Sequence, residues 1–336
     1  MKVFLYFFLL LTFLTLKTAN SQIVRYSNDF LMTTDFSALE STGGSKIAVI
    51  SGSEAVFSNP SNLFFEDYKA DFSVMHNNYF SSMANLDLFS AAYQVDTSLC
   101  FGLGFLRFGV DDIQNTIYLF DNQGNMDYSR IKYFSVADYA ALFSVAKKWR
   151  GFNFGGSMKL IFRHEGNFAK AYGFGFDIAA TYKIKDFALS AVIKDVTTTF
   201  NFWSVNENAF DSIYLFSGNS IPENKLEQTA PSVTLAAAYS KAVLKFNFST
   251  FFATTLYYYG ADLKFGGEVS YSDIVFLRFG ISDFQKDNNL SISKKFTVSP
   301  SLGMGVKFLR FRLDYAFKAQ NAVEKKSNIF TIGVSF

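Results

Sequence analysis

Apolar and polar residues alternate along much of the chain, most clearly near its end. Between residues 310 and 318, Phe311, Leu313, Tyr315 and Phe317 alternate with arginine, aspartate, alanine and lysine. Successive side chains of a β-strand point to opposite faces, so this pattern predicts a strand with one apolar face and one polar face. An α-helix would spread the charged residues around its circumference.

The same alternation recurs in segments of about ten residues, which is the length that a tilted membrane-spanning strand requires. Together with the turn residues it predicts about fourteen antiparallel strands. The predicted strands are 68–80, 84–95, 98–109, 138–147, 151–163, 170–182, 187–195, 231–240, 243–251, 260–270, 274–282, 297–307, 310–318 and 327–336.

The predicted connections are short after even-numbered strands and long after several odd-numbered strands. The long connections are 110–137, 196–230 and 283–296. Short periplasmic turns and long outer loops are typical of bacterial barrels, so the fold class is all-β, an antiparallel transmembrane outer-membrane β-barrel. The alternative is a secreted soluble β-sandwich, whose strands also alternate. A sandwich would not need so many aromatic residues on the face opposite the charges.

Composition supports export to a membrane. The chain has 43 Phe and 18 Tyr among 336 residues, and after residue 21 no stretch reaches the ~20 apolar residues of a spanning helix. Of 31 basic residues, loss of Lys2 and Lys17 leaves 29, against 29 acidic residues, so a nucleic-acid partner is not expected. The single cysteine, Cys100, cannot form an internal disulfide.

Residues 1–21 have the pattern of a secretory signal peptide. Lys2 precedes an apolar run at 3–16, and the small residues Ala19 to Ser21 predict cleavage near Ser21. The alternative, an N-terminal membrane anchor, would need a longer apolar run. We therefore expect the mature protein in the outer membrane of a Gram-negative bacterium.

Residues 22–66 precede the first strand and do not alternate. A barrel of about fourteen strands is too wide for its wall side chains to fill, so we expect this N-terminal part to form a plug or hatch. The alternative is a disordered periplasmic leader, but the segment is rich in apolar residues. The remaining residues, 67–336, are assigned to the barrel and its outer loops.

The last strand ends on an aromatic residue. Phe330, Ile332, Val334 and Phe336 alternate to the chain end, which resembles the C-terminal signal recognised by the barrel-assembly machinery. The resemblance implies that this machinery is a partner during biogenesis, and outer-membrane lipid is the expected surrounding afterwards.

Two further stretches resemble a known superfamily. Asn59, Pro60 and Leu63 in the sequence NPSNL look like the N-P-A-x-L region of FadL-like barrels, which have fourteen strands and an N-terminal hatch. The stretches 109–116, 120–125 and 134–140 resemble the PorV/PorQ branch found in Bacteroidetes. That branch implies a non-enzymatic part in type IX secretion, with a translocon barrel and the signal domains of secreted cargo as partners. The alternatives are a FadL-like transporter of hydrophobic small molecules and an open diffusion porin.

The predicted outer loops contain many aromatic residues, which favours either a partner-binding surface or a lid packed on itself. The candidates are Ile117, Tyr118, Phe120, Tyr133, Phe200, Phe202, Trp203, Phe210, Tyr214 and Phe216.

No motif indicates an enzyme, a cofactor or a metal site. His76 and His164 are the only histidines and lie far apart in sequence. Asp111 and Asp112 lack the spacing of a calcium loop, so a capped turn is the expected structure there. Charges on the inward face of the strands have both signs, which favours ion pairs between wall and plug over a lining that selects ions.

Overall fold

The fold was analysed in a computed structural model, which describes residues 28–32, 35–66, 68–79, 83–116, 118–120, 123–209, 223–257, 260–286, 296–320 and 325–336. The strands within these ranges are β1 (Ala70–Tyr79), β2 (Ala84–Asp96), β3 (Leu99–Asn115), β4 (Lys132–Trp149), β5 (Phe152–Glu165), β6 (Ala169–Ile184), β7 (Phe187–Lys194), β8 (Thr199–Val205), β9 (Leu226–Thr229), β10 (Ser232–Val243), β11 (Phe246–Tyr257), β12 (Gly260–Tyr271), β13 (Val275–Lys286), β14 (Phe296–Phe308), β15 (Phe311–Gln320) and β16 (Lys325–Ser335).

The strands close into one antiparallel ring. β1 pairs with β16, with Asp71 opposite Ser335, and β5 pairs with β6, so the sheet has no free edge at either place. β7 and β8 pair in succession with β6, while β10 pairs with β7 and β9 with β8. β7 and β8 therefore share one position in the wall, and β9 and β10 share the next. The sixteen described segments thus form the closed 14-strand barrel that the alternation predicts.

Strand pairing extends further than the sequence pattern predicts. β3 continues to Asn115 and β4 begins at Lys132, so the predicted loop 110–137 is partly strand. In the same way β8 and β9 lie within the predicted loop 196–230, and β13 extends into 283–296. Hydrophobic alternation marks only the part of a strand between lipid and the interior, whereas backbone pairing continues beyond it, where no such alternation is required.

The short connections lie at one end of the barrel. Positive φ angles occur in these turns at Arg150 (48°), Gly151 (84°), Lys185 (49°), Leu244 (55°) and Leu309 (53°). Tight hairpins need such angles because their twist then matches the twist of the flanking strands. The predicted asymmetry between short turns and long connections is therefore present.

The two faces of each strand differ as predicted. On β15, Phe311 is 59% exposed and Leu313 is 56% exposed, whereas Asp314 is 4% exposed and Ala316 is fully buried. On β4, Phe143 is exposed while Ser144 is buried. Large apolar side chains therefore cover the outside, and small, polar or charged side chains point inwards. None of the helices in the described ranges is long and apolar enough to cross a membrane.

The N-terminal segment, defined here as residues 28–32 and 35–66, folds into single helical turns. The turns are Asp29–Leu31, α1 (Ser37–Glu40), Lys46–Ala48, Gly52–Glu54, α2 (Ala55–Ser58) and Pro60–Asn62. They contact strands on every side of the ring, including β1, β5, β10 and β15. A chain that touches opposite walls of a closed ring lies within it.

Candidate functional site in the barrel interior

Glycines on the inward face of the wall allow the backbone of the N-terminal segment to approach closely. A Cβ on Gly155 would lie 2.2 Å from the backbone nitrogen of Ser61, and a Cβ on Gly280 would lie 2.1 Å from the carbonyl carbon of Thr42. Real Cβ atoms do not approach other atoms so closely, so any larger residue at these positions would displace the segment. Glycine is used here for close approach of two backbones.

Asn59 in the predicted plug motif joins the segment to two strands. Its buried side-chain amide lies 3.0 Å from the carbonyl oxygen of Ile47 and 3.2 Å from the hydroxyls of Thr181 and Ser190. Its carbonyl oxygen accepts a hydrogen bond of 2.6 Å from the Ser61 hydroxyl. A buried amide needs such partners, which explains why this position is polar although the surroundings are closed to solvent.

Pro60 and Leu63 of the same motif are also buried. Pro60 begins a helical turn whose Ncap is Asn59, a position that suits proline because it needs no backbone donor. A Cβ on Gly102 would lie 3.0 Å from the Leu63 side chain, so Leu63 packs directly against β3. The motif therefore lies against the wall, and its role as a hatch stays a prediction.

Ion pairs connect the segment to the opposite side of the wall. Lys46 pairs with Glu268 at 2.6 Å, Glu54 with Arg312 at 2.8 Å, and Glu40 with Lys318 at 3.0 Å. Arg278 extends the group by bonding Glu268 and Asp314. These are the wall-to-segment ion pairs that the mixed inward charges predict. Removing one partner from such a buried pair leaves an uncompensated charge and is strongly destabilising.

Asp35 is a titratable group of the segment whose pKa is displaced into the neutral range. Burial, reinforced by the carboxylate of Glu40, raises the pKa of Asp35 from 3.8 to about 7, although Lys194, Lys264 and Lys318 act in the opposite direction. Its carboxyl group therefore changes charge near neutral pH.

The interior has an apolar side as well as a charged side. The apolar side is formed by the inward aliphatic side chains of β2 to β5 and by the apolar residues of the segment that belong to the same buried cluster. Its main members are Leu86, Leu88, Leu106, Leu142, Ile161, Phe36, Leu39, Val56, Phe57 and Leu63. The charged side lies on β12 to β15.

The wall is interrupted between β7 and β8. Residues 195–198 continue neither strand ladder, although the Val196 N–H donates a backbone hydrogen bond of 2.8 Å to the Phe176 carbonyl oxygen of β6. Positive φ angles occur at Asp195 (58°) and Thr198 (65°). Behind this interruption Lys159 pairs with Asp177 at 2.8 Å and with Asp195 at 2.5 Å, and Thr199 donates a hydrogen bond to Asp195. Buried charges of opposite sign therefore fill the place where backbone pairing stops.

The N-terminal segment reaches the same interruption. The Asn28 amide donates a hydrogen bond of 2.8 Å to the hydroxyl of Thr229 on β9, and the Asn201 amide of β8 donates one of 2.9 Å to Asn28. This site was not predicted, because the sequence pattern indicates a loop at 196–230. The alternation in β5 and β6 predicts that Lys159 and Asp177 point inwards, but nothing local in the sequence indicates that they approach Asp195.

A cavity of about 780 Å³ lies at the short-turn end, where the segment leaves the barrel. Its lining combines aromatic and basic side chains. The lining residues are Phe65, Glu66, Tyr68, Lys69, Gln94, Thr97, Lys148, Arg310 and Phe336. Within the described residues no group of three or more His, Cys, Asp or Glu side chains could hold a metal ion.

No family model and no curated protein matches this sequence. Solved structures do match. The toluene transporter TbuX of Ralstonia pickettii has a TM-score of 0.60 at 12% identity, covering 91% of this chain and 100% of that one. The toluene transporter TodX of P. putida has 0.54 at 13% identity, covering 90% and 98%. A FadL homologue of Pseudomonas aeruginosa has 0.51 at 11% identity, covering 94% and 99%.

The chain has the fold of FadL-like outer-membrane barrels. Agreement over nearly the whole length of both chains supports the predicted strand number, and two of these neighbours are described as toluene transporters. At this level of identity the likeness concerns the fold alone. None of these neighbours supports the narrower resemblance to the PorV/PorQ branch.

Within this FadL-like fold, the predicted loop residues do not form one surface. Tyr118, Phe120 and Tyr133 are exposed near the first long connection. Ile117, Phe210, Tyr214 and Phe216 lie outside the described residues. The loop assignment needs correction for Tyr133, which lies on β4, and for Phe200, Phe202 and Trp203, which all lie on β8.

The β8 residues face two different sides. Phe202 is exposed on the outside, and Phe200 is half-buried with its ring 5.9 Å from that of Phe174. Trp203 points inwards, where its indole N–H donates a hydrogen bond of 2.7 Å to Glu227 and its ring lies 4.9 Å from the guanidinium of Arg163. Strand pairing, with its alternation of faces, separates residues that a loop would have exposed together.

The last strand closes the barrel as expected. Phe330, Ile332 and Phe336 are exposed on the outside and Val334 is half-buried, while β16 pairs with both β1 and β15. Its role as an assembly signal stays a prediction.

Proposed function

We propose that this protein is an outer-membrane channel that passes hydrophobic small molecules, with the N-terminal segment as a plug that regulates passage. The observation that carries the proposal is the apolar side of the interior, where inward leucines of β2 to β4 face apolar residues of the segment. An ion-conducting pore would need a polar lining around its whole circumference. The likeness to barrels described as toluene transporters supports the same class of transported molecule.

Two openings are compatible with such a passage. The interruption at residues 195–198 is a place where a molecule could leave the interior through the wall, since neither strand ladder continues through it and few backbone hydrogen bonds, such as that from Val196 to Phe176, would have to break there. The cavity of about 780 Å³ at the short-turn end provides a second opening, towards the periplasm in the proposed orientation. Passage by either route requires the segment to shift, because its backbone fills the space between the inward glycines.

A reversible tether tests the proposal. The hydroxyls of Ser53 in the segment and Ser73 on β1 lie 2.8 Å apart, so Ser53→Cys with Ser73→Cys would link plug and wall. In a Cys100→Ser background, proteoliposomes are assayed for uptake of labelled toluene. We expect oxidation to reduce uptake at least about tenfold and a reductant to restore it.

The matched control joins two wall strands without touching the segment. The hydroxyls of Ser144 on β4 and Ser157 on β5 lie 2.7 Å apart, and a disulfide between cysteines at these positions should leave uptake unchanged. Wild-type uptake no faster than that of protein-free liposomes would overturn the transport function. Uptake that survives oxidation of the first pair would overturn the moving plug alone.

A part in secretion is the second candidate. The exposed side chains of Tyr118, Phe120 and Tyr133 favour it, because aromatic residues on a water-exposed surface are enriched at protein interfaces. Replacing all three with serine should abolish co-purification of a translocon barrel or cargo signal domain in mild detergent. If no such protein co-purifies with the wild-type chain, this candidate fails.

A further inference from the structure

Three neighbouring short turns carry most of the positive charge at their end of the barrel. These turns join β4 to β5, β6 to β7 and β10 to β11, and the strands that they connect are adjacent in the wall. We call residues 147–151, 183–186 and 241–245 the basic arc. It contains seven lysines and arginines and one acid, Asp186, and all seven basic side chains are exposed.

The other short turns are not basic in this way. Asp96 ends β2 and Asp273 lies in the turn after β12. Among these other short turns, the one after β14 has two basic residues at or beside it, Lys307 and Arg310. The charge is therefore concentrated on one half of the rim, which would not follow from a requirement for solubility alone.

Five members of the arc are directed outwards or lie at the turn tips. Lys147 and Trp149 both lie on the outward face of β4, and the Arg150 guanidinium lies 4.9 Å from the Trp149 ring centre. Lys241 belongs to the outward set of β10, whereas Lys185 lies in a turn. Lys245 follows Leu244, whose side chain is 98% exposed. Lys148 and Lys183 belong to the inward sets and are not part of this surface.

Aromatic residues form a belt directly beside these cations on the outer wall. Its members are Trp149, Phe152, Tyr182, Tyr239 and Phe246. Aromatic side chains are enriched at the level of lipid headgroups, so the basic arc lies at the membrane–water boundary of the barrel. Within the arc a single ion pair is present, between Lys241 and Asp186 at 3.4 Å, and it leaves the outward surface with excess positive charge.

We infer that the basic arc binds the phosphate groups of anionic glycerophospholipids in the leaflet that surrounds the short turns. Arginine and lysine beside an aromatic belt match a headgroup whose phosphate lies just outside the apolar boundary. A soluble acidic protein would not require this belt. The inference assumes a membrane-spanning barrel but not a particular passenger.

Lipid retention in nanodiscs tests the inference. The wild-type chain is reconstituted in phosphatidylcholine mixed with phosphatidylglycerol, and the lipids that remain bound after release into detergent are counted by native mass spectrometry. We expect phosphatidylglycerol to exceed its bulk share. Combined Lys147→Gln, Arg150→Gln, Lys185→Gln, Lys241→Gln and Lys245→Gln should abolish the excess, because each basic residue near a membrane surface contributes on the order of a fivefold effect and the five contributions multiply.

The control is Lys307→Gln with Arg310→Gln, which removes the positive charge of another short turn and should leave the excess unchanged. If the variant with five substitutions does not fold, high salt applied to the wild type should remove the phosphatidylglycerol excess, because exposed charges are screened. An excess that survives both treatments, or an equal loss in the control, overturns the inference. Preferential retention of lipopolysaccharide in a matched bilayer, or of an acidic protein, overturns it as well. Toluene uptake is a separate readout, so failure here leaves the transport function untouched.

Discussion

At the scale of single residues, adjacent positions in one strand have opposite roles. Gly155 faces the N-terminal segment, and Gly156 faces outwards, where the nearest atom to an added Cβ would be the Asp177 carbonyl oxygen at 3.7 Å. The sequence shows two identical residues side by side. Their difference arises from the side of the sheet on which each lies.

We expect Gly155→Val to be destabilising and Gly156→Val to be nearly neutral. The first adds atoms where backbone already lies 2.2 Å away, which costs at least the roughly 1–3 kcal/mol of overpacking. The second should stay within about 0.5 kcal/mol. Urea unfolding in detergent measures both, and protease cleavage of the segment should increase in the first variant only. Equal effects of the two changes would contradict the conclusion that Gly155, and not Gly156, leaves room for the N-terminal segment.

Asp35 makes stability depend on pH. Its pKa in the folded protein is raised from 3.8 to about 7, so the folded state prefers the neutral form, and stability falls as pH rises between these two values. Asp35→Asn should therefore raise the unfolding temperature above pH 7 and have little effect below pH 4. The loop residue Asp127 should behave oppositely, because hydrogen bonds from Ser129 lower its pKa. An effect of Asp35→Asn that is equal at both pH values would refute the prediction.

At the scale of elements, the interruption between β7 and β8 is maintained by buried charge. Lys159 is 2% exposed and bonds two carboxylates, while Gly173 and Gly175 leave room for Asn201 and Thr199 to lie over β6. A continuous strand would need none of these residues. The interruption is thus built by side chains from β5, β6 and β8 together.

We expect Lys159→Met to destabilise the barrel by about 3–5 kcal/mol, because it leaves Asp177 and Asp195 without their cation. Lys241→Met removes an exposed pair with Asp186 and should cost about 0–1 kcal/mol. Chemical unfolding of both variants in the same detergent gives the comparison. A Lys159→Met barrel as stable as the wild type would show that the cluster does not hold the interruption.

At the scale of the whole molecule, a ring of this width needs material inside it. Wall side chains fill an eight-stranded barrel but not a fourteen-stranded one, and here the N-terminal segment occupies the interior. The ion pairs of Lys46, Glu54 and Glu40 with the wall keep it in place.

Deletion of residues 22–66 should open a water-filled pore. The wild-type protein should conduct little in planar bilayers, whereas the deletion variant should give a steady and much larger conductance, since the inward charges would then line an open lumen. A folded deletion variant that stays closed would show that the segment does not block the lumen. Retained resistance of the variant to heat denaturation in detergent would show that its barrel is intact.

Much of the fold follows from local pattern. Phe311, Leu313, Phe330 and Ile332 lie on the outside because lipid selects apolar residues at every second position, and that periodicity is visible in the chain. The NPSNL motif was recognisable by its resemblance to the corresponding region of FadL-like barrels, and in the structure Pro60 and its capping Asn59 form a local helical turn.

The remaining features depend on contacts between residues that are distant in sequence. Lys159 meets Asp195, Gly155 meets Ser61 and Lys46 meets Glu268 only after the ring has closed, and no local pattern records such a meeting. The sequence by itself therefore determined the class of fold, the direction of side chains and the short turns, since these depend on neighbours along the chain. The tertiary structure decided where the wall is interrupted, how the segment is held and which side of the interior is apolar, because strand register and barrel closure determine which distant residues meet.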